Sequence, residues 1–209
     1  MGDRRVSGFT LSRDSELHVE SFQDNSHMEN MIIALAGRRI DAADADTHRF
    51  PVENIELVRR RLRELFERER PEALVSSAAC GADLIALDEA AALGIRRRVI
   101  LPFDRRRFRE TSVIDRPGVW GHLYDRVLDE VESNGDLITL SGDADDVLAY
   151  AVANSAILAE AGALRRDPRQ AVLTVVVWNG APRGADDLTK SFGDEAKALG
   201  FSVLEIKTL

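Results

Sequence analysis

Residues 79–83, Ala-Cys-Gly-Ala-Asp, are the sharpest chemical feature of the chain. A small residue, a cysteine and a glycine lead into an alanine-rich stretch, the pattern of a strand-to-helix turn whose open backbone amides can take an anion. Cys80, Gly81 and Ala82 would form that cradle. Asp83, in the first helical turn, either favours the helix dipole or faces the ligand. A helix N-terminus also lowers a thiol's pKa, but no histidine stands at a spacing that would make Cys80 a nucleophile, and a small buried residue is the plainer reading.

A second candidate is Gly37-Arg38-Arg39-Ile40-Asp41, two guanidinium groups directly after an apolar run. An arginine fork there could hold a phosphate bidentately, and the alternative is a solvated turn. Tyr150 and Asn154 stand four apart on a helical stretch, and Asn154 borders its apolar stripe. A buried amide there bonds either backbone or a ligand's base or ribose. Pro102 follows another apolar run. Asn179-Gly180, with Arg183-Gly184-Ala185-Asp186-Asp187 just beyond, forms a further loop with amides and an arginine on offer. Arg96, Arg97, Arg98, Arg105, Arg106, Arg107 and Arg109 make a locally basic stretch, of which one or two side chains could reach a phosphate.

For these groups to meet, the elements around them must end at one place. Short apolar runs at Met31–Ala36, Ala73–Ser77, Arg98–Leu101, Asp136–Leu140, Ala171–Trp178 and Phe201–Ile206 alternate with stretches of helical period. Ile55, Val58, Leu62 and Leu65 stripe a first helix that stops before Pro71. A second, from 82 to 93, is mostly apolar or small and closes at Gly94, and should be the more buried. A third runs over 120–131, a fourth over 145–163 with Val147, Ala151, Ile157 and Leu158 inward, and a fifth over 187–199. The expected fold is α/β: a Rossmann-like, doubly wound, mostly parallel sheet of about six strands with helices on both faces. In such a sheet the strands' carboxyl ends share one edge, where ligands bind, so the candidate loops should converge there. The connection from Asp104 to Gly118 reads as one long irregular loop. Residues 1–29 read as a polar, mobile leader, and 30–209 as a single domain.

Composition narrows the function. With 28 basic against 36 acidic side chains, net −8, the overall field repels nucleic acid and anionic membranes, so phosphate binding would be local. No apolar run approaches the roughly 20 residues of a membrane span. One cysteine excludes an internal disulfide, four scattered histidines show no metal-ligand spacing, and no cofactor motif stands out, as expected for a cytoplasmic chain.

Gly37–Asp41 with Arg49-Phe50-Pro51, SSAACGADLIALDEAAALG (76–94), VILPFDRRRFRETSV (99–113), the helix of Tyr150 and Asn154, and VVVWNGAPRGADD (175–187) together resemble the SLOG superfamily. That superfamily joins the DNA-processing protein DprA with the cytokinin-activating LOG enzymes, and the likeness covers about residues 30–207. It implies a nucleotide pocket lined by the loop at Cys80–Asp83, and a role in binding or sensing a nucleotide-derived signal in bacteria. With the loops and helix read above, the candidate ligand set is Gly37, Arg38, Arg39, Cys80, Gly81, Ala82, Asp83, Pro102, Tyr150, Asn154, Asn179, Gly180 and Arg183. LOG phosphoribohydrolases carry PGGxGTxxE on a late turn, where this chain reads NGAPRGADDLTK. That motif and its glutamate are absent here, which leans against an enzyme; the alternative function, cleavage of a nucleoside monophosphate N-glycosidic bond, would need Asp186 or Asp187 as the carboxylate. A homo-oligomer is a possible partner state, because the second helix has a broad apolar surface.

Overall fold

The computed structural model describes residues 31–209, so the leader expected over 1–29 lies outside the described residues. Six strands form one parallel sheet: β1 (Ile32–Gly37), β2 (Ala73–Ser76), β3 (Arg96–Leu101), β4 (Leu137–Thr139), β5 (Val172–Trp178) and β6 (Ser202–Lys207). They lie in the order β4-β3-β2-β1-β5-β6. Strand β1 pairs Ile32 with Ala73 of β2 on one side and with Val172 of β5 on the other. The Rossmann-like α/β fold expected from the alternation of periods is the fold observed.

Six α-helices cover the sheet: α1 (Ile55–Glu69), α2 (Ala82–Ala92), α3 (Arg105–Ser112), α4 (Trp120–Ser133), α5 (Val147–Ala163) and α6 (Leu188–Ala198). One face packs α1, α2 and α4 on Ile33, Leu35, Leu74, Val99 and Val175. The other packs α5 and α6 on Ile32, Ala34, Val75, Ile100 and Val176. Alternate residues of β1 thus enter opposite cores, as the two-residue period of a strand demands. Helix α2 is buried along most of its length and lies against both α1 and α4, so its apolar surface is used within the chain. Across that contact Glu89, 2% exposed, accepts from Arg59 at 2.6 Å and Arg63 at 2.7 Å, tying α1 to α2.

Two expectations are corrected. The connection after β3 is not irregular: Asp104 caps α3 by accepting from the amides of Arg106 and Arg107, and Phe108 enters the core. Its other side chains are charged or polar, so no apolar stripe announced the helix. On α5 the buried face is Ala149, Ala153, Ile157, Leu158 and Ala161, whereas Val147 is 71% exposed. That helix is apolar nearly all round, so its period does not fix its orientation. The sheet accepts the small side, which lets the helix backbone approach β1 and β2.

Gly81 is a position that only glycine fills. Its φ is +95°, and a Cβ there would stand 2.8 Å from both the Arg38 carbonyl oxygen and the Ile40 nitrogen. Gly81→Val is expected to cost at least about 2 kcal/mol, through backbone strain plus that clash. A urea midpoint equal to wild type would contradict this.

Candidate functional site

Strand order reverses between β1 and β5: from β1 the chain steps one way through β2, β3 and β4, and β5 returns to the opposite side of β1. Loops leaving neighbouring strands diverge at such a switch point and leave a crevice. A cavity of about 520 Å³ opens there, within the range of small-molecule pockets. Gly37, Arg38 and Arg39 after β1, Asp83 after β2 and Pro102 after β3 line it. So do Tyr150 and Asn154 on α5, and Arg183, Asp186 and Asp187 after β5. Cys80, Gly81, Ala82, Asn179 and Gly180 are not among its lining residues.

The turn at 79–83 is filled by the protein itself. The Cys80 amide donates to the Ser112 carbonyl at 3.0 Å, the Ala82 amide to the Arg38 carbonyl at 3.1 Å, and the Ala79 amide to Asp83 Oδ2 at 3.2 Å. The anion cradle expected there is therefore largely closed. Cys80 is fully buried, and burial pushes its thiol up to about 12, so it carries no thiolate at neutral pH. Asp83 is 6% exposed and its Oδ1 has no hydrogen-bond partner among the described residues. Burial pushes its carboxyl up to about 7, against the opposing pull of the Ala79 and Gly37 amides and of Arg39.

The two arginines after β1 diverge. Arg38, 2% exposed, is locked against α6: Nη1 lies 2.7 Å from Asp187 Oδ2, and Nη2 donates to the Ala181 carbonyl at 2.8 Å. Its Nε has no acceptor among the described residues. Its guanidinium also sits 5.8 Å from the Trp178 ring, which makes Trp178 the buried end of its strand. Arg39 is half-buried and grips Asp115 at 2.9 Å and the Thr111 carbonyl at 3.0 Å.

Asp187 serves as the N-cap of α6, accepting from the amides of Thr189 and Lys190 at 3.0 Å and of Arg183 at 2.7 Å. Burial opposes its ionisation, but those amides and Arg38 hold the carboxyl below the usual range. With its oxygens so engaged, Asp187 is poorly placed to act on a substrate. Asp186 is exposed at the cavity mouth. Arg183 lies on the same loop, and among the described residues its guanidinium pairs with no carboxylate. Partial desolvation and the nearby guanidinium groups of Arg38, Arg49 and Arg39 hold it below the usual arginine range, with Asp187 opposing. Among the described residues Arg49 has no ion-pair partner either, and its charge is one of those that act on Arg183.

The α5 residues take the ordinary option. Asn154 Nδ2 donates to the Leu188 carbonyl at 3.2 Å, and Tyr150 lies 3.2 Å from Ser112 Oγ and edge-on to Phe103. The arginine-rich stretch is spent on ion pairs: Arg96 and Arg98 on Asp136, Arg97 on Glu130, Arg105 on Asp129, Arg106 and Arg107 on Glu110, and Arg109 on Asp125. None of them lines the cavity. Ser112, Phe108 and Thr189 also line the cavity; the helix of the first two carries no apolar period to announce them, and Thr189 is marked in the sequence only as the second residue after the Asp187 cap of α6. No group of histidine, cysteine and acidic side chains among the described residues is arranged to hold a metal ion, and no helix there is long and apolar enough to cross a membrane.

No family model and no curated protein matches the sequence. Among solved structures, DNA processing protein A (DprA) from Streptococcus pneumoniae aligns with 84% of this chain at 14% identity, TM-score 0.39. This chain covers 59% of that protein's length. The Moco carrier protein from Chlamydomonas reinhardtii aligns with 86% of this chain and 91% of its own, at 15% identity and TM-score 0.33.

Proposed function

We propose that this chain binds a nucleotide or nucleotide-derived small molecule in the switch-point cavity, as a SLOG-type binding or sensing module of the bacterial cytoplasm. The observation that carries this reading is an unpaired cation, Arg183, at the mouth of a cavity formed where parallel strands end. Arg38 and Arg39 surround it with further positive charge although each has a carboxylate of its own. The wall of Tyr150, Phe108 and Pro102 supplies apolar surface for a base. The loop and α6 terminus support binding better than glycosidic hydrolysis, because the Asp187 carboxylate is committed to the cap and to Arg38.

Thermal unfolding with a panel of nucleotides tests this. A hundredfold excess over Kd is expected to raise the Tm by about 5 °C or more. Arg183→Ala removes an exposed side chain with no ion-pair partner, so it should leave the unliganded Tm within about 1 °C of wild type while abolishing most of the ligand-induced rise. A variant that responds as wild type does would place the anion elsewhere.

A further inference from the structure

Among the described residues, nothing covers the outer side of helix α5. The helix packs inward on β1, β2, β3 and β5 and sideways on α6. Its outer side runs through Leu148, Val152, Ser155, Ala159 and Ala163, three or four residues apart and so on one line. Leu148 is 67% exposed and Val152 58%, with Val147 beside them at 71%. No charged residue stands between Val147 and Ala159, whereas α1, α3, α4 and α6 all carry charges along their lengths. Contiguous exposed apolar surface of this kind marks an interaction site. It is α5, and not the internally buried α2, that is free to meet a partner.

From the distribution of size and charge along this face we infer that its partner is a second copy of the chain, with the two α5 helices antiparallel about a twofold axis near Ser155 and Ala156. The large side chains, Val147, Leu148 and Val152, occupy the first half of the face, and the small ones, Ser155, Ala159 and Ala163, the second. Antiparallel pairing sets large against small along the whole seam, with Leu148 opposite Ala163 and Val152 opposite Ala159. The same register matches the charges at the two ends. Asp143, Asp145 and Asp146 stand exposed before the helix, and Arg165, Arg166 and Arg169 stand exposed after it. Asp145, with 86% of its side chain exposed, falls opposite Arg166, with 79%. Their partners within the chain, Arg107 and Glu72, hold them only at the surface, where ion pairs exchange readily. A helix dipole favours acids at the start and bases at the end of any helix, but it does not strip the face between them of charge. A parallel pairing would set large on large and acid on acid. The pairing rests on this face alone and not on what the cavity holds.

Sedimentation velocity of the full chain, from about 1 to about 100 µM, is the test. One helix with its two flanking turns makes a small interface, so wild type is expected to dissociate in the micromolar range and to be mostly dimeric at about 100 µM. Leu148→Glu and Val152→Lys each place an unpaired charge on the seam twice per dimer, and each should raise the dimer Kd at least about thirtyfold. Both positions are exposed, circular dichroism checks that each variant folds, and either one suffices if the other does not. Asp145→Arg and Arg166→Asp should each weaken the dimer about fivefold, and the chain carrying both should regain wild-type affinity, because the reversed charges again meet their opposites across the axis. A wild type that stays monomeric at about 100 µM overturns the inference and leaves the face to another partner. A dimer that folded Leu148→Glu and Val152→Lys leave intact also overturns it, placing the contact on another surface. Disruption by those variants with no recovery in the double reversal overturns the antiparallel register.

Discussion

Replacing Asp187 with alanine is expected to lower the unfolding free energy by about 3–5 kcal/mol, the range for breaking a buried ion pair from one side. Three losses coincide. The α6 N-terminus loses the acceptor for the Thr189 and Lys190 amides, and the loop loses the acceptor for the Arg183 amide. Arg38, whose side chain is 2% exposed beside a fully buried Asp187, would keep its charge without its partner at 2.7 Å. Asp187→Asn preserves an oxygen for the cap and removes only the charge, so its loss should be smaller. Because the Asp187 carboxyl is held below the usual range, its contribution is present above the unfolded carboxylate pKa and fades as pH falls through the lower folded value. Urea unfolding at pH 7 and in acid checks both points. A loss under about 1 kcal/mol at pH 7 would mean that Arg38 finds other compensation.

The second large effect has the opposite sign. Asp83→Asn is expected to stabilise the unliganded protein by roughly 2–4 kcal/mol at pH 8, and by little at pH 4. The sign follows from the direction of the shift. Burial pushes the folded carboxyl up to about 7 from an ordinary value of 3.8. Keeping Asp83 ionised therefore costs stability, a cost that is absent below the unfolded pKa, grows between the two values and is complete above about 7. Asparagine has the same shape and no charge to desolvate, so it escapes that cost, offset in part by burying an amide NH2 where the carboxylate oxygen had no partner. A cavity carboxylate held at the expense of the fold is what a binding site, rather than a structural cap, would retain. Chemical unfolding of both proteins across pH 4–8 makes the comparison. A variant less stable than wild type at pH 8 would show that Asp83 is needed for the fold.

How much of this was legible in the sequence varied with the kind of signal. All six strands were visible because β-branched runs such as VLTVVVW stand out against charged helices. Helix α1 was visible from one stripe on a charged background, and its Val58, Leu62 and Leu65 are buried as that stripe requires. Helix α3 was not, since Phe108 is its one large apolar side chain and a single residue has no period. The orientation of α5 was not, since a helix apolar all round is decided by which side is small enough to meet the sheet. For the site, position after a strand carried most of the information: Gly37, Arg38, Arg39, Asp83, Pro102 and Arg183 line one cavity because parallel strands end together. What position could not give was the division of labour. Arg38 and Arg183 look alike as letters, yet one is clamped by a helix cap 149 residues away in sequence and the other is unpaired, a difference set wholly by tertiary contacts. Likewise the amides at Cys80 and Ala82 were sound candidates for an anion until the Ser112 and Arg38 carbonyls were seen to occupy them.

The central claim is that the switch-point cavity holds a phosphorylated, nucleotide-like molecule. Native mass spectrometry of the gently purified full chain, before and after adding a millimolar nucleotide panel, tests it most directly, with any released molecule identified by exact mass. One ligand per chain is expected, with a mass that includes phosphorus, and its loss in Arg183→Ala. A chain that stays bare throughout, or that releases a molecule without an anionic group, would contradict it.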